Sequence, residues 1–235
     1  NFGLSGQVAL VTGADVALGL RNPDSDGGLA DAIAAKGRRV IRQKMDVTDL
    51  AQSYDAVDRA VKELGRLDIL INNAGGGVDA VALDVTEGDF DAVMALNVKS
   101  TFFISQKAAQ IMIDAGHGGR IVNLSSQAAL VALPGEPAYC IAKAAVSHMT
   151  RCLALEWGEY GINVNAVAPT FIETPGTERL LGDKAFREDA VQRIAALHRI
   201  GQPVDVAGAV IYLVSPAASL VTGHTLVIDG GWTLR

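Results

Sequence analysis

Tyr139 and Lys143 stand four positions apart in Tyr139-Cys140-Ile141-Ala142-Lys143, and Ser126 lies thirteen residues upstream of the tyrosine in Asn123-Leu124-Ser125-Ser126. On a helix, positions i and i+4 face the same way. A free phenol, with a pKa of about 10, is a poor acid-base group near neutrality. A neighbouring ammonium stabilises the phenolate and moves it toward the working range. With Ser126 holding the oxygen to be protonated or deprotonated, the trio is equipped for proton transfer at a carbonyl or alcohol oxygen. A tyrosine and a lysine at this spacing are also common on ordinary helix faces, so the weight rests on what surrounds them.

The surrounding elements read as an alternation. Short Val/Ile/Leu-rich runs predict strands over 7–12, 16–21, 39–45, 69–72, 119–124, 162–168 and 225–228. Ala-rich stretches between them predict helices over 28–36, 50–64, 86–115, 137–159, 177–197 and 203–213. This is the pattern of a parallel sheet covered on both faces. The expected fold class is α/β, a single doubly wound Rossmann-type domain over 1–235 with a seven-stranded parallel sheet flanked by helices. Ligands bind such sheets beyond the carboxyl ends of the strands. Polar or Gly-rich turns fall at those ends in Thr12-Gly13-Ala14, Asp46-Val47, Asn72-Asn73-Ala74-Gly75, Ser125-Ser126 and Pro169-Thr170. Turn chemistry accounts for any one of them; five at successive strand ends mark a site.

Composition narrows the classes. A chain of 235 residues, 49% hydrophobic with only 7 prolines, is enough for one compact core. A net charge of -6 and a pI near 5.2 give no general attraction to nucleic acid or anionic membrane, so neither is an expected partner. No apolar run approaches the roughly 20 residues that span a bilayer, and the start lacks a charged-then-apolar signal pattern. Cys140 and Cys152, twelve positions apart on one predicted helix, are separated by roughly 18 Å and cannot pair, which fits a reduced, cytoplasmic setting. His198 and His224 show no ligand spacing, and no metal is expected.

From Leu4-Ser5-Gly6-Gln7-Val8 to Val227-Ile228-Asp229-Gly230-Gly231 the chain resembles the short-chain dehydrogenase/reductase family. The resemblance rests on Asp46-Val47-Thr48-Asp49, Asn72-Asn73-Ala74-Gly75, Asn97, Ser126, Tyr139 with Lys143, and Pro169 followed by Thr174, in family order and spacing. Sugar and polyol dehydrogenases and 3-oxoacyl reductases are the members it is similar to. The resemblance implies that Tyr139 is the acid/base and that Ser126 orients the substrate oxygen. It implies that Lys143 lowers the tyrosine pKa and holds the nicotinamide ribose, and that Asn97 keeps a proton relay behind Lys143. A helix-interior Asn97 bonding only to backbone is the plainer alternative. The implied cofactor is NADP or NAD. Asp46 and Val47 would meet its adenine and Asn73, Ala74 and Gly75 its ribose, with Gly13 in the first turn. Pro169, Ile172 and Thr174 would border the nicotinamide, where Thr170 replaces the family's usual glycine. The family forms homotetramers or homodimers through helices matching 86–115 and 137–159. Ala108, Ala109, Ala144 and Ala145 either allow that approach or face the sheet.

The departure comes early. The family expects a Gly-rich turn and a helix between its first two strands, whereas Thr12-Gly13-Ala14 runs straight into Asp15 to Arg21, which reads as the second strand. Gly13 and Gly19 are therefore not read as a degraded phosphate motif. Adjacent parallel strands need a crossover of a dozen or more residues. None is available, so the crossover that would offer helix N-terminal amides to the pyrophosphate is absent from this sequence between Ala14 and Asp15, through either a genuine deletion or a segment of the protein left out and the rest numbered continuously. At the end of that second strand stands Arg21 rather than an acidic residue, which favours pairing with an NADP 2'-phosphate over NAD; a solvated strand-end arginine is the alternative.

The stretch 171–200 is the expected substrate loop. Glu173, Thr177, Glu178 and Arg179 within it, and Gln127 and Glu136 beside the catalytic strand end, suit a sugar, sugar acid or polyol. Charges of this kind also make ordinary solvated helix faces. The substrate contacts expected are Ser126, Gln127, Glu136, Tyr139 and Phe171. Ala129 to Leu133 with Phe171 offer an apolar path, so a 3-oxoacyl thioester reductase is the alternative enzyme. A dinucleotide sensor without turnover is the non-enzyme alternative, against which both Tyr139 and Lys143 are present.

Overall fold

The computed structural model describes residues 14–24 and 26–234. The predicted strand 7–12 and Gly13 lie outside the described residues. Six strands are described: β1 (Val16–Leu20), β2 (Val40–Lys44), β3 (Ile69–Asn72), β4 (Gly119–Leu124), β5 (Ile162–Pro169) and β6 (Thr225–Ile228). All pair in parallel, β1 with β2 in one sheet and β3-β4-β5-β6 in order in a second. The seven-strand expectation becomes six strands in two sheets among the described residues.

Sequence alternation explains how the sheet is covered on both sides. Successive strand residues point to opposite faces. Leu70, Ile121 and Val164 pack with Ile104, Ala108 and Met112 of α4 (Ser100–Ala115) and Leu153 of α5 (Pro137–Trp157). Ile71, Val122 and Val167 pack on the other side with Val206, Val210 and Leu213 of α8 (Pro203–Val214). Three helices precede these, α1 (Leu29–Ala34), α2 (Leu50–Leu64) and α3 (Glu87–Met94), and α6 (Glu178–Leu181) and α7 (Lys184–Arg193) lie between β5 and α8. Ala108 and Ala109 are buried against the sheet, so they are core residues, whereas Ala144 is exposed.

Two helix predictions are corrected. The stretch 86–115 is not one α-helix: α3 and α4 are joined by a π-helical turn over Ala95–Lys99. The stretch 177–197 splits into α6 and α7 because Asp183 interrupts it, accepting a hydrogen bond from the Phe186 amide as the cap of a new helix. Elsewhere predicted and observed ends differ by one or two residues, the usual fraying. Val16–Leu20 is a strand with Gly19 inside it, where a Cβ would lie 2.4 Å from Met45 Sδ. Gly19 thus serves close packing rather than phosphate binding.

Parallel register sets the strand ends level. Asn72 pairs with Asn123, Leu124 with Val167, and Pro169 with Ile228. The segments after β3, β4 and β5 therefore emerge side by side, which is what a ligand site at the carboxyl edge requires.

Candidate active site

Helix α5 begins at Pro137, whose fixed φ suits a first helical position, and it carries Tyr139 and Lys143 on one stripe. Ser126 follows β4; its Oγ accepts a hydrogen bond from the Ala128 amide, and its hydroxyl lies near enough to Tyr139 to favour the phenolate. Lys143 is buried, and its Nζ donates to the Leu124 carbonyl at 2.8 Å. The ammonium also lies 5.5 Å from the centre of the Tyr139 ring. Ser125, one residue before the catalytic serine, donates to the Lys143 carbonyl and shares a 2.7 Å hydrogen bond with Ser147, tying β4 to α5 one turn beyond the lysine.

The π-helical turn places Asn97. Its Nδ2 donates to the Gly76 and Val93 carbonyls, both at 2.8 Å, and its Oδ1 accepts from the Gly76 amide. Bonding to backbone is therefore observed, and the backbone it holds belongs to the loop after β3. A Cβ on Gly75 would lie 2.8 Å from both Asn97 Oδ1 and Lys143 Nζ. Glycine at 75 is what lets the loop, the asparagine and the lysine converge. The base of this loop is fixed by a buried network in which Asn72 Nδ2 donates to Ser105 and Asn123, and Asn123 Nδ2 donates to Thr150.

Electrostatics here differ from the simple expectation. Burial pushes the Tyr139 phenol up to about 12, against the lowering effect of the Ser126 hydroxyl, with Glu136 and Cys140 adding to the rise. Burial also pushes Lys143 down to about 8. The Lys143 ammonium is directed at the Leu124 carbonyl and lies over the Tyr139 ring in this arrangement.

The expected cofactor contacts divide. Asp46 accepts from the Thr48 hydroxyl and amide, which hold its carboxyl below the ordinary range, and Arg21 approaches it to 3.7 Å at the adjoining ends of β1 and β2. Val47 packs against the main core. Asn73, Ala74 and Gly75 follow β3 directly, half-buried. Ile172 is buried in the core beneath α8 with its carbonyl accepting from the Thr177 hydroxyl, and Thr174 is buried against Thr177. Thr170 donates its amide to Ile228, and its buried hydroxyl has no partner among the described residues. The glycine cradle at Gly75 and this unpaired hydroxyl fit a polar ligand lying along the strand ends.

Three residues of the expected substrate loop make contacts within the fold. Thr177 spends its hydroxyl on Ile172 and Thr174, and Glu173 is held by Arg187 and Gln202; both fold the loop on itself. Phe171 stacks edge-on against Phe186 and tilts over Trp232, in a cluster that also takes Val131 and Leu133. The apolar residues that suggested an acyl path are therefore consumed in packing. Gln127 is buried, with its Oε1 unpaired among the described residues, and Glu136 stands half-buried beside Tyr139. Sequence reading missed Gly76, Gly77, Asp79 and Ser147; the run Gly75-Gly76-Gly77 was the signal for the first two. No cluster able to hold a metal occurs among the described residues, and both cysteines are free. No described helix is long and apolar enough to cross a membrane.

A parallel sheet wrapped on both faces, with a serine, tyrosine and lysine grouped beyond its strand ends, defines the class of dinucleotide-dependent oxidoreductases. The chain belongs to the short-chain dehydrogenase/reductase family: a family model described as enoyl-(acyl carrier protein) reductase matches residues 7–233. It is similar to the 2-dehydro-3-deoxy-D-gluconate 5-dehydrogenase of Dickeya dadantii, at 38% identity over 252 positions covering 100% of this chain and 98% of that protein. It is also similar to the D-threitol dehydrogenase of Mycolicibacterium smegmatis, at 36% identity covering 100% and 96%. Among solved structures, a gluconate 5-dehydrogenase from Burkholderia cenocepacia in complex with NADP and tartrate superposes with a TM-score of 0.88. Its identity is 34%, over 95% of this chain and 87% of that one.

Proposed function

We propose that this protein moves a hydride between NAD(P) and a secondary alcohol or ketone of a small polyhydroxy compound. The observation that carries the reading is the convergence of Tyr139, Ser126, Lys143 and Asn97 around Gly75. The nicotinamide, when bound, supplies or accepts the hydride. Tyr139 gives or takes the proton at the substrate oxygen, and Ser126 holds that oxygen through its hydroxyl. Lys143, buried between Gly75 and the Leu124 carbonyl, binds the ribose and keeps a positive charge behind the phenol. Asn97 positions the loop carrying Gly75 and Gly76, and with it the relay to Lys143. Asp46, Val47, Asn73, Ala74, Pro169, Ile172 and Thr174 border the cofactor, with Gly13 before them in the chain. NADP is preferred, since the exposed Arg21 guanidinium at the end of β1 is free to turn from Asp46 to a 2'-phosphate.

The whole chain acts as one domain in a cytoplasmic homotetramer. A shallow groove lined by Met94, Val98, Phe102, Phe103 and Met149 supplies the helix-to-helix contact. The 3-oxoacyl thioester reading loses ground because Phe171, Val131 and Leu133 already pack on one another's neighbours. A panel of sugars, sugar acids, polyols and 3-oxoacyl thioesters, assayed with both cofactors, tests the proposal. Turnover of a polyhydroxy substrate with a higher kcat/KM for NADP(H) is expected. Activity confined to thioesters, or a clear NAD(H) preference, would overturn the corresponding half.

The crossover that would carry the phosphate-binding turn is absent from the sequence between Ala14 and Asp15, either by genuine deletion or because a segment of the protein is left out of it. A chain that truly lacks it has no helix N-terminal amides for the pyrophosphate and binds the cofactor weakly. Inserting a Gly-rich turn and helix at that point is expected to tighten NADP at least about tenfold in a calorimetric titration. Unchanged affinity would refute this account of the junction.

A further inference from the structure

The stripe of α5 that carries Tyr139 and Lys143 continues outward to Glu136. Glu136 lies just before the helix and beside Tyr139, whose phenol feels its charge, while Lys143 is buried one turn further on. Glu136 occupies the position before α5 where a side chain ordinarily caps the helix, yet it makes no capping hydrogen bond. It has neither ion pair nor side-chain hydrogen bond with any other described residue. Its Oε2 lies 2.5 Å from the point where a Cβ on Gly77 would sit, and the Tyr139 Cβ lies 3.0 Å from the same point. The missing side chain at Gly77 is thus what allows the carboxylate to lie against the tyrosine. A second carboxylate stands close by. Asp79 Oδ1 comes within 3.1 Å of a Cβ built on Gly135, and the Ala80 amide donates to the Gly135 carbonyl at 2.9 Å, joining the two loops. Burial and the charge of Asp79 push the Glu136 carboxyl up from its ordinary value. A half-buried, unpaired carboxylate works against stability, and nothing in the fold uses it.

We infer that Glu136, backed by Asp79, sets the charge class of the substrate: the site takes neutral polyols and their ketoses and turns away sugar acids. Hydroxyls donate to the carboxylate beside Tyr139, whereas a substrate carboxylate placed there meets like charge with no cation to offset it. This rests on the proposed hydride transfer at Tyr139 and adds which polyhydroxy compounds the site accepts.

The test compares kcat/KM, at saturating cofactor, for threitol and galactitol against gluconate and 2-dehydro-3-deoxygluconate, in the wild type and in Glu136→Gln. The wild type is expected to favour the neutral class. The amide, equal in size, is expected to shift the ratio toward the acids by at least about tenfold. Any change in Tyr139 basicity is common to both classes and cancels in the ratio. Asp79→Asn, on an exposed residue, is expected to shift it in the same direction by less, and it decides the matter should Glu136→Gln fold poorly. Wild-type preference for sugar acids, or a ratio unmoved by the variants, would overturn the inference while leaving hydride transfer intact. A wild type inactive on both classes would overturn that reading and this inference together.

Discussion

Tyr139→Phe is expected to lower kcat/KM by about 10³-fold on every accepted substrate, within the range that a positioned general acid or base contributes. The measurement is made at millimolar cofactor so that the weak pyrophosphate contact does not mask the chemistry. Cofactor affinity should stay within a few fold, because the ring remains and only the hydroxyl is lost. Stability should fall by no more than about 1 kcal/mol, the usual net value of one hydrogen bond. A phenylalanine variant that retained turnover would remove Tyr139 from the mechanism. With the phenol pushed up to about 12 in this arrangement, the tyrosine is held neutral at physiological pH. Positive charge brought near its hydroxyl is what would let it act as a base.

Lys143→Met is expected to abolish most turnover and to change how stability depends on pH. Burial lowers the lysine from its ordinary 10.5 to about 8. The folded protein then releases this proton before the unfolded chain does, so between about pH 8 and pH 10.5 the unfolded state holds more protons and stability rises with pH. The shift corresponds to about 3 kcal/mol, fully present above the unfolded pKa and lost as pH falls through 8. Methionine does not titrate. The difference in unfolding free energy between wild type and variant should therefore move in favour of the wild type across this window, as read from urea denaturation at pH 7.5 and 10. Parallel pH profiles would mean that the ammonium is solvated rather than buried.

Much of this architecture was legible because the signals were local. The strands at Ile69–Asn72 and Gly119–Leu124 begin and end where the apolar runs begin and end, and α2 is fixed by Asp49 at its start and Gly65 at its end. The Tyr139–Lys143 stripe follows from helical spacing alone. What could not be read depended on partners distant in sequence. The direction of the Lys143 ammonium is set by the Leu124 carbonyl, and the fate of Phe171 by Phe186 and Trp232. Residues such as Thr177 and Glu173 look available to a substrate in sequence, yet tertiary contacts within the loop had already claimed them. The break in 177–197 was missed because Gly182-Asp183 can end one helix and begin another without any loss of apolar periodicity on either side.

The π-helical turn at Ala95–Lys99 carries an implication for how this family can vary. A π turn holds one residue more than the α turn it replaces, and here that surplus residue sets the direction in which Asn97 points. Substitutions around it leave the count unchanged and preserve the geometry. Loss of that surplus residue would let the turn close as ordinary α-helix, joining α3 directly to α4 and taking Asn97 out of its position against Gly76. Between α3 and α4, chain length is therefore under stronger constraint than chain composition, and insertions or deletions should be far rarer there than amino-acid replacements.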